Sequence, residues 1–130
     1  MSSVIDTNVL IFDTFEDSEH HKSATAKLDS LDNWQIASMV FHELTWFFKA
    51  RDIQLERARM KLLEYLTNEK TVFIPCTTDD ILFAAAQMRS YRKYNDLIIL
   101  SAAKRLGQPL FTFDEELRKI AVRNKVALID

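Results

Sequence analysis

Short β-branched and aromatic runs recur along the chain, and the intervals between them carry helical patterns. Val4–Ile5, Trp34–Ala37, Thr71–Pro75, Leu110–Phe113 and Val126–Ile129 read as strands. Ser18 is the predicted N-cap of a helix with Ala24, Leu28 and Leu31 on one side, and Ser38 caps one striped with Val40, Leu44, Phe47 and Phe48. Gln54–Lys70 is amphipathic, with Leu55, Leu62, Leu63 and Leu66 predicted to point inward. Thr77 or Thr78 caps a helix through Ile81, Leu82, Ala85 and Met88, and another helix runs from near Asn95 to just before Gly107. Asp114 caps a helix through Leu117 and Ile120. The order β-α-α-β-α-α-β-α-α-β-α-β predicts an α/β fold with a mostly parallel sheet between two helical layers, because parallel strands need long crossovers and helices supply them. In such sheets ligands gather beyond the carboxyl ends of the strands.

The rest of the composition narrows the function. A chain of 130 residues fits one domain over 1–130, and its 48% apolar content suffices for a core. No apolar run approaches the roughly 20 residues that span a bilayer, and the amino-terminal stretch lacks the basic and apolar regions of a signal peptide. Pro75 and Pro109 mark strand boundaries; no linker or repeat interrupts the chain. Cys76 is the only cysteine, which rules out an intramolecular disulfide or a multi-thiolate metal site and makes the reducing cytoplasm the expected location. A single glycine, Gly107, excludes GxGxxG turns and Walker-type phosphate loops, which need several glycines for close backbone approach. Net charge is −2, so nucleic acid binding would have to come from a local basic patch.

Four acids stand where strand-like runs end or helices begin: Asp6, Glu43, Asp96 and Asp114. The topology pushes them toward one edge of the sheet. Neighbouring carboxylates without basic partners repel, and some stay protonated unless a cation joins them. Carboxylate oxygens suit a hard divalent ion, Mg2+ or Mn2+, and such ions point to chemistry on phosphate esters. Each acid alone also fits an ordinary turn, cap or helix-dipole role.

The series Asp6-Thr7-Asn8-Val9-Leu10-Ile11, Ser38 with Glu43-Leu44, Asn95-Asp96-Leu97-Ile98 running into Ser101-Ala102-Ala103, and Leu110-Phe111-Thr112-Phe113-Asp114 resembles the PIN-domain family. It is most similar to the small members typified by VapC toxins, in order and over essentially the whole chain. The resemblance implies a Rossmann-like parallel sheet and a metal-dependent ribonuclease. It matches Asp6, Glu43, Asp96 and Asp114 to the acidic quartet, with Asn8 and Thr112 as supporting polar residues. It further implies an RNA substrate, a VapB-type antitoxin partner and a homodimer. Two positions depart from the family pattern: the helix after Asp96 is unusually aliphatic, and Phe113 replaces a small polar or basic residue.

Other features are weaker. Arg89-Ser90-Tyr91-Arg92-Lys93-Tyr94 interleaves cations with aromatics just before Asp96, which suits RNA contact by Arg89, Arg92 and Lys93 or a solvated helix end. Lys49 and Arg51 make a fainter case of the same kind. His20 and His21 are adjacent and diverge by about 100° on a helix, so they read as surface residues. His42-Glu43 is no zinc motif, because Trp46 occupies the second histidine position. Cys76 reads as a half-buried residue without a nucleophilic role. Trp46, Phe47 and Phe48 exceed what one helix face buries, which fits a second subunit or a central helix. Two rival classes are a haloacid-dehalogenase-like phosphatase, disfavoured because Asn8 stands where a second Asp is required, and a non-catalytic PIN-like binding module. A PIN-like RNA-processing nuclease outside a toxin–antitoxin pair is the nearest alternative.

Overall fold

All strands of the sheet run parallel. In the computed structural model, which describes residues Met1–Asp130, β1 (Ser2–Ile5), β2 (Asn33–Ala37), β3 (Thr71–Ile74) and β4 (Leu110–Phe111) are ordered β3-β2-β1-β4. The central strand β1 pairs Val4 with Gln35 on one side and with Leu110 on the other. Its residues Ser3, Val4 and Ile5 are buried on both faces, as expected of an inner strand in a parallel sheet. Seven helices complete a three-layer α/β/α arrangement: α1 (Thr7–Thr14), α2 (His21–Ser30), α3 (Ser38–Ala50), α4 (Leu55–Thr67), α5 (Thr78–Gln87), α6 (Tyr94–Leu106) and α7 (Glu115–Arg123). A 3-10 turn, Tyr91–Lys93, leads into α6. No helix is long and apolar enough to cross a membrane.

Helix ends with strong local chemistry fall where the sequence puts them. Thr77 and Asp80 form a reciprocal capping box at the start of α5. Gly107 ends α6 in the left-handed region, φ 64°, which glycine enters without a Cβ penalty. Asp114 caps α7 by accepting from the backbone N–H groups of Glu116 and Leu117. The aliphatic stretch of α6 is explained by its place: Leu97 through Ala103 are all buried, so the helix runs through the interior beside β1.

Other expectations are corrected. Ser18 donates to the carbonyls of Phe12 and Phe15 and stabilises the loop before α2, whose N-cap is His20. Ser38 is the first residue of α3, and its hydroxyl accepts from Cys76 N–H across the strand ends. In α4 the core-facing residues are Ala58, Leu62 and Tyr65, while Leu55, Leu63 and Leu66 are exposed. Tyr65 wins the inward position because the ring fills the core and its hydroxyl finds partners there, donating to Asp13 Oδ2 at 2.8 Å. The last predicted strand shrinks to one bridge, Leu110–Leu128, and β4 ends at Phe111 because Thr112 turns toward Asp6. Cys76 is exposed, and burial and the nearby Asp80 push its thiol above the ordinary value, away from a thiolate role.

Candidate functional site

The carboxyl end of the sheet supplies the frame. Asp6 follows β1 directly, Thr112 follows β4 directly, Glu43 lies in the second turn of α3 after β2, and Asp96 sits in the first turn of α6. Asp114 stands two residues beyond Thr112. One hydroxyl ties much of this together. Thr112 Oγ1 donates to Asp6 Oδ2 at 2.6 Å and accepts from Asp114 N–H at 3.0 Å and from Asn8 Nδ2 at 3.3 Å. Asn8 Oδ1 in turn accepts from Phe113 N–H at 3.3 Å, so Asn8 stitches α1 to the chain leaving β4.

Asp6 is 4% exposed, and its second oxygen accepts from Thr7 N–H at 2.8 Å. Burial lifts its carboxyl from 3.8 to about 7; the Thr112 hydrogen bond opposes the rise, and the charges of Asp96 and Glu43 add to it. Asp96 rises to about 6, first from burial and then from the charges of Asp114 and Glu43. Glu43 is held from both sides: Thr7 Oγ1 donates to Oε1 at 2.5 Å and Asn95 Nδ2 to Oε2 at 3.4 Å. Thr7 and Asn95 thus belong to the site, although sequence reasoning gave them no role; their adjacency to Asp6 and Asp96 was the available signal.

Glu116 is a further acid that the sequence reading passed over. Lys93 Nζ lies 2.7 Å from its Oε2 and 3.9 Å from Asp96 Oδ2. The hydrogen bond to Glu116 raises the lysine's pKa, with the charges of Asp114 and Asp96 assisting. Lys93, singled out for RNA contact, is therefore occupied at the acidic site itself. Arg89 and Arg92 are exposed and make no ion pair.

These acids fit a hard divalent cation in charge and donor chemistry, since Lys93 is the one basic group paired with any of them and two carboxyls are driven toward the protonated state. No three His, Cys, Asp or Glu side chains close into a ready-made cage. An ion held by Asp6 and Asp96 would therefore keep several waters, as Mg2+ does.

The adjacent histidines, read from the sequence as surface residues, are half-buried and packed. His20 stacks on Phe113 with centroids 4.6 Å apart, and Phe12 packs edge-on against both rings. His21 Nδ1 meets the Phe12 carbonyl at 2.9 Å. Phe113 thus serves as an aromatic bridge between α1, the loop before α2 and the end of β4.

Comparison with known proteins agrees with this architecture. A family model described as the PIN domain matches residues 3–123. Sequence comparison with curated proteins finds no match. Among solved structures, the chain is similar to Mycobacterium tuberculosis VapC20, a Sarcin-Ricin loop cleaving toxin, at TM-score 0.78 and 15% identity over 92% of this chain and 95% of that one. It is similar to VapBC2 of Rickettsia felis, solved bound to a DNA fragment from its promoter, at TM-score 0.70 and 17% identity over 99% and 98%. A toxin–antitoxin complex from Klebsiella pneumoniae aligns at TM-score 0.62 and 25% identity over 86% of each chain.

Proposed function

The chain belongs to the PIN-domain family, and from that premise we propose that it is a Mg2+- or Mn2+-dependent endoribonuclease, the toxin of a VapBC-type toxin–antitoxin pair. One observation supports this above the others: two acids at the carboxyl end of a parallel sheet, Asp6 and Asp96, are pushed to about 7 and about 6 with too little positive charge beside them. A fold that needed these groups only for packing would do better with neutral side chains.

Asp6 and Asp96 are the principal metal ligands in this reading, with Glu43 and Asp114 as direct or water-mediated ones. A divalent ion bound there supplies an activated water and offsets charge in the phosphoryl transition state. The chain's own work is orientation. Thr112 and the Thr7 amide fix both oxygens of Asp6. Thr7 and Asn95 fix Glu43, leaving it set to orient the attacking water. The α7 cap holds Asp114.

The structural likeness to VapBC2 and to the Klebsiella pneumoniae complex supports an antitoxin partner. A homodimer is supported by the exposed apolar side chains Trp46, Leu63, Leu66 and Phe73. The protein acts in this reading as one domain in the cytoplasm, consistent with its lone cysteine.

The test is RNA cleavage by purified protein with Mg2+ or Mn2+ and with excess EDTA, beside Asp6→Asn and Asp96→Asn. Cleavage is expected to require the ion and both acids while circular dichroism stays native. Undiminished cleavage in EDTA overturns the proposal; tight RNA binding without cleavage under any divalent ion favours the non-catalytic reading.

A further inference from the structure

A groove of 760 Å³ opens beside the acids, between the end of α5, the 3-10 turn and α7. Its volume lies within the about 300–1,000 Å³ of ordinary ligand clefts. Met88, Leu97 and Ile120 give it an apolar lining, and Arg89 and Arg123 contribute their side chains from the α5 end and from α7. Neither guanidinium makes a hydrogen bond or an ion pair, and both residues are exposed. The two walls are pinned together nearby: Gln87 Nε2 donates to Asn124 Oδ1 at 2.9 Å, and Asn124 Nδ2 returns a bond to Gln87 Oε1 at 3.2 Å. Lys93 and Glu116 line the groove and pair with each other at 2.7 Å, and the Lys93 ammonium lies 3.9 Å from Asp96.

Unpaired arginines above an apolar lining match two features of one ligand. Guanidinium groups take phosphate oxygens in bidentate fashion, and an apolar surface takes the flat face of an unpaired base. Simple anions would leave the apolar lining unused, and a purely apolar ligand would leave two cations unpartnered. We infer that this groove seats the single-stranded RNA segment flanking the cleaved phosphodiester, with phosphates on Arg89 and Arg123 and a base over Met88 and Ile120. The inference rests on the ribonuclease reading and extends it: Arg123, from the far end of the chain, joins Arg89 as a substrate-binding residue, while Arg92 lies outside the groove lining. Joining the groove to the acids through Lys93 gives the strand a defined path into the site.

The experiment measures binding of a fluorescent single-stranded RNA of about 15 nucleotides, a length that exceeds one groove, by anisotropy across a salt series. The full chain carrying Asp6→Asn is used in EDTA so that the probe stays intact. Arg89→Ala with Arg123→Ala is expected to weaken binding roughly 10-fold and to lower the log–log salt slope by about 1.4, since each single-strand phosphate contact contributes about 0.7. Lys22→Ala with Lys104→Ala removes equal charge outside the groove and is expected to change the slope far less. Unchanged affinity and slope in the arginine variant overturn the groove while leaving the ribonuclease reading standing. An equal loss in the lysine variant also overturns it, because bulk charge would then explain the effect. A parent protein that binds no RNA overturns both.

Discussion

Asp6 and Asp80 are both buried carboxylates, 4% and 1% exposed, yet their proton affinities move in opposite directions. Burial pushes each upward. At Asp80 it is outweighed by Arg105, whose Nε and second guanidinium nitrogen donate at 3.2 and 3.0 Å, by Thr77 N–H at 3.0 Å and by Ser101 Oγ at 2.7 Å. Asp6 has two neutral donors and acids for neighbours. The difference teaches that this fold can neutralise a buried acid when the acid is structural. Leaving Asp6 uncompensated is thus a property of its place at the carboxyl end of β1, and it costs stability in the absence of a cation.

The sharpest way to break the comparison is to remove each charge. Asp6→Asn and Asp96→Asn are expected to lower RNA cleavage by more than about 100-fold while leaving Tm in EDTA unchanged or higher, read by an RNA cleavage assay and thermal melts. Asp80→Ala is expected to do the reverse, lowering stability by about 2–4 kcal/mol in urea titrations because it removes a capping box and strands Arg105 and Ser101. A destabilised Asp6→Asn or a neutral Asp80→Ala would erase the distinction.

Acidity gives a second comparison. Asp6 and Asp96 bind protons more tightly folded than unfolded, so their contribution is complete below about pH 4 and is lost as pH rises through about 6 to 7. Asp80 binds its proton less tightly folded, so its contribution is present above the ordinary value of 3.8 and is lost as pH falls through its lowered one. In EDTA, stability is therefore expected to fall by a few kcal/mol, roughly 2–4, between pH 5 and pH 8, and Mg2+ should flatten the fall. Asp6→Asn should flatten it as well. A profile that rises over that interval would contradict the assignment.

The smallest expected effect separates two jobs of one residue. Asp114→Asn keeps a good N-cap and removes the charge, so it should reduce cleavage with less than about 0.5 kcal/mol change in stability. Asp114→Ala should lose the cap as well, about 1 kcal/mol by urea titration.

What could be read in the sequence follows the range of the forces involved. Thr77, Gly107 and Asp114 mark helix ends through bonds to groups within a few residues, so their patterns are local. The parallel topology was equally visible, because strand and helix periods alternate, and it puts Asp6 and Thr112 at adjoining strand ends. The orientation of α4 was hidden: counting leucines ignores that Tyr65 can reach Asp13, a partner 52 residues away. Glu116 escaped notice for a similar reason, since its lysine comes from a turn preceding another helix. Arg123 gave no signal of its own; only the fold sets it beside Arg89.

The hydroxyl that braces Asp6 comes from far along the chain. Thr112 directly follows a strand that pairs with β1 across more than a hundred residues, Val4 meeting Leu110 and Ile5 meeting Phe111. Asp6 is braced only when two segments more than a hundred residues apart have met, so the orientation of its carboxyl reports on the assembled sheet. Such distant pairing forms slowly and only once both ends are free to meet. Loosening the β1–β4 pairing would therefore also free Asp6 from Thr112, so the order of the acidic cluster is tied to the integrity of the sheet edge.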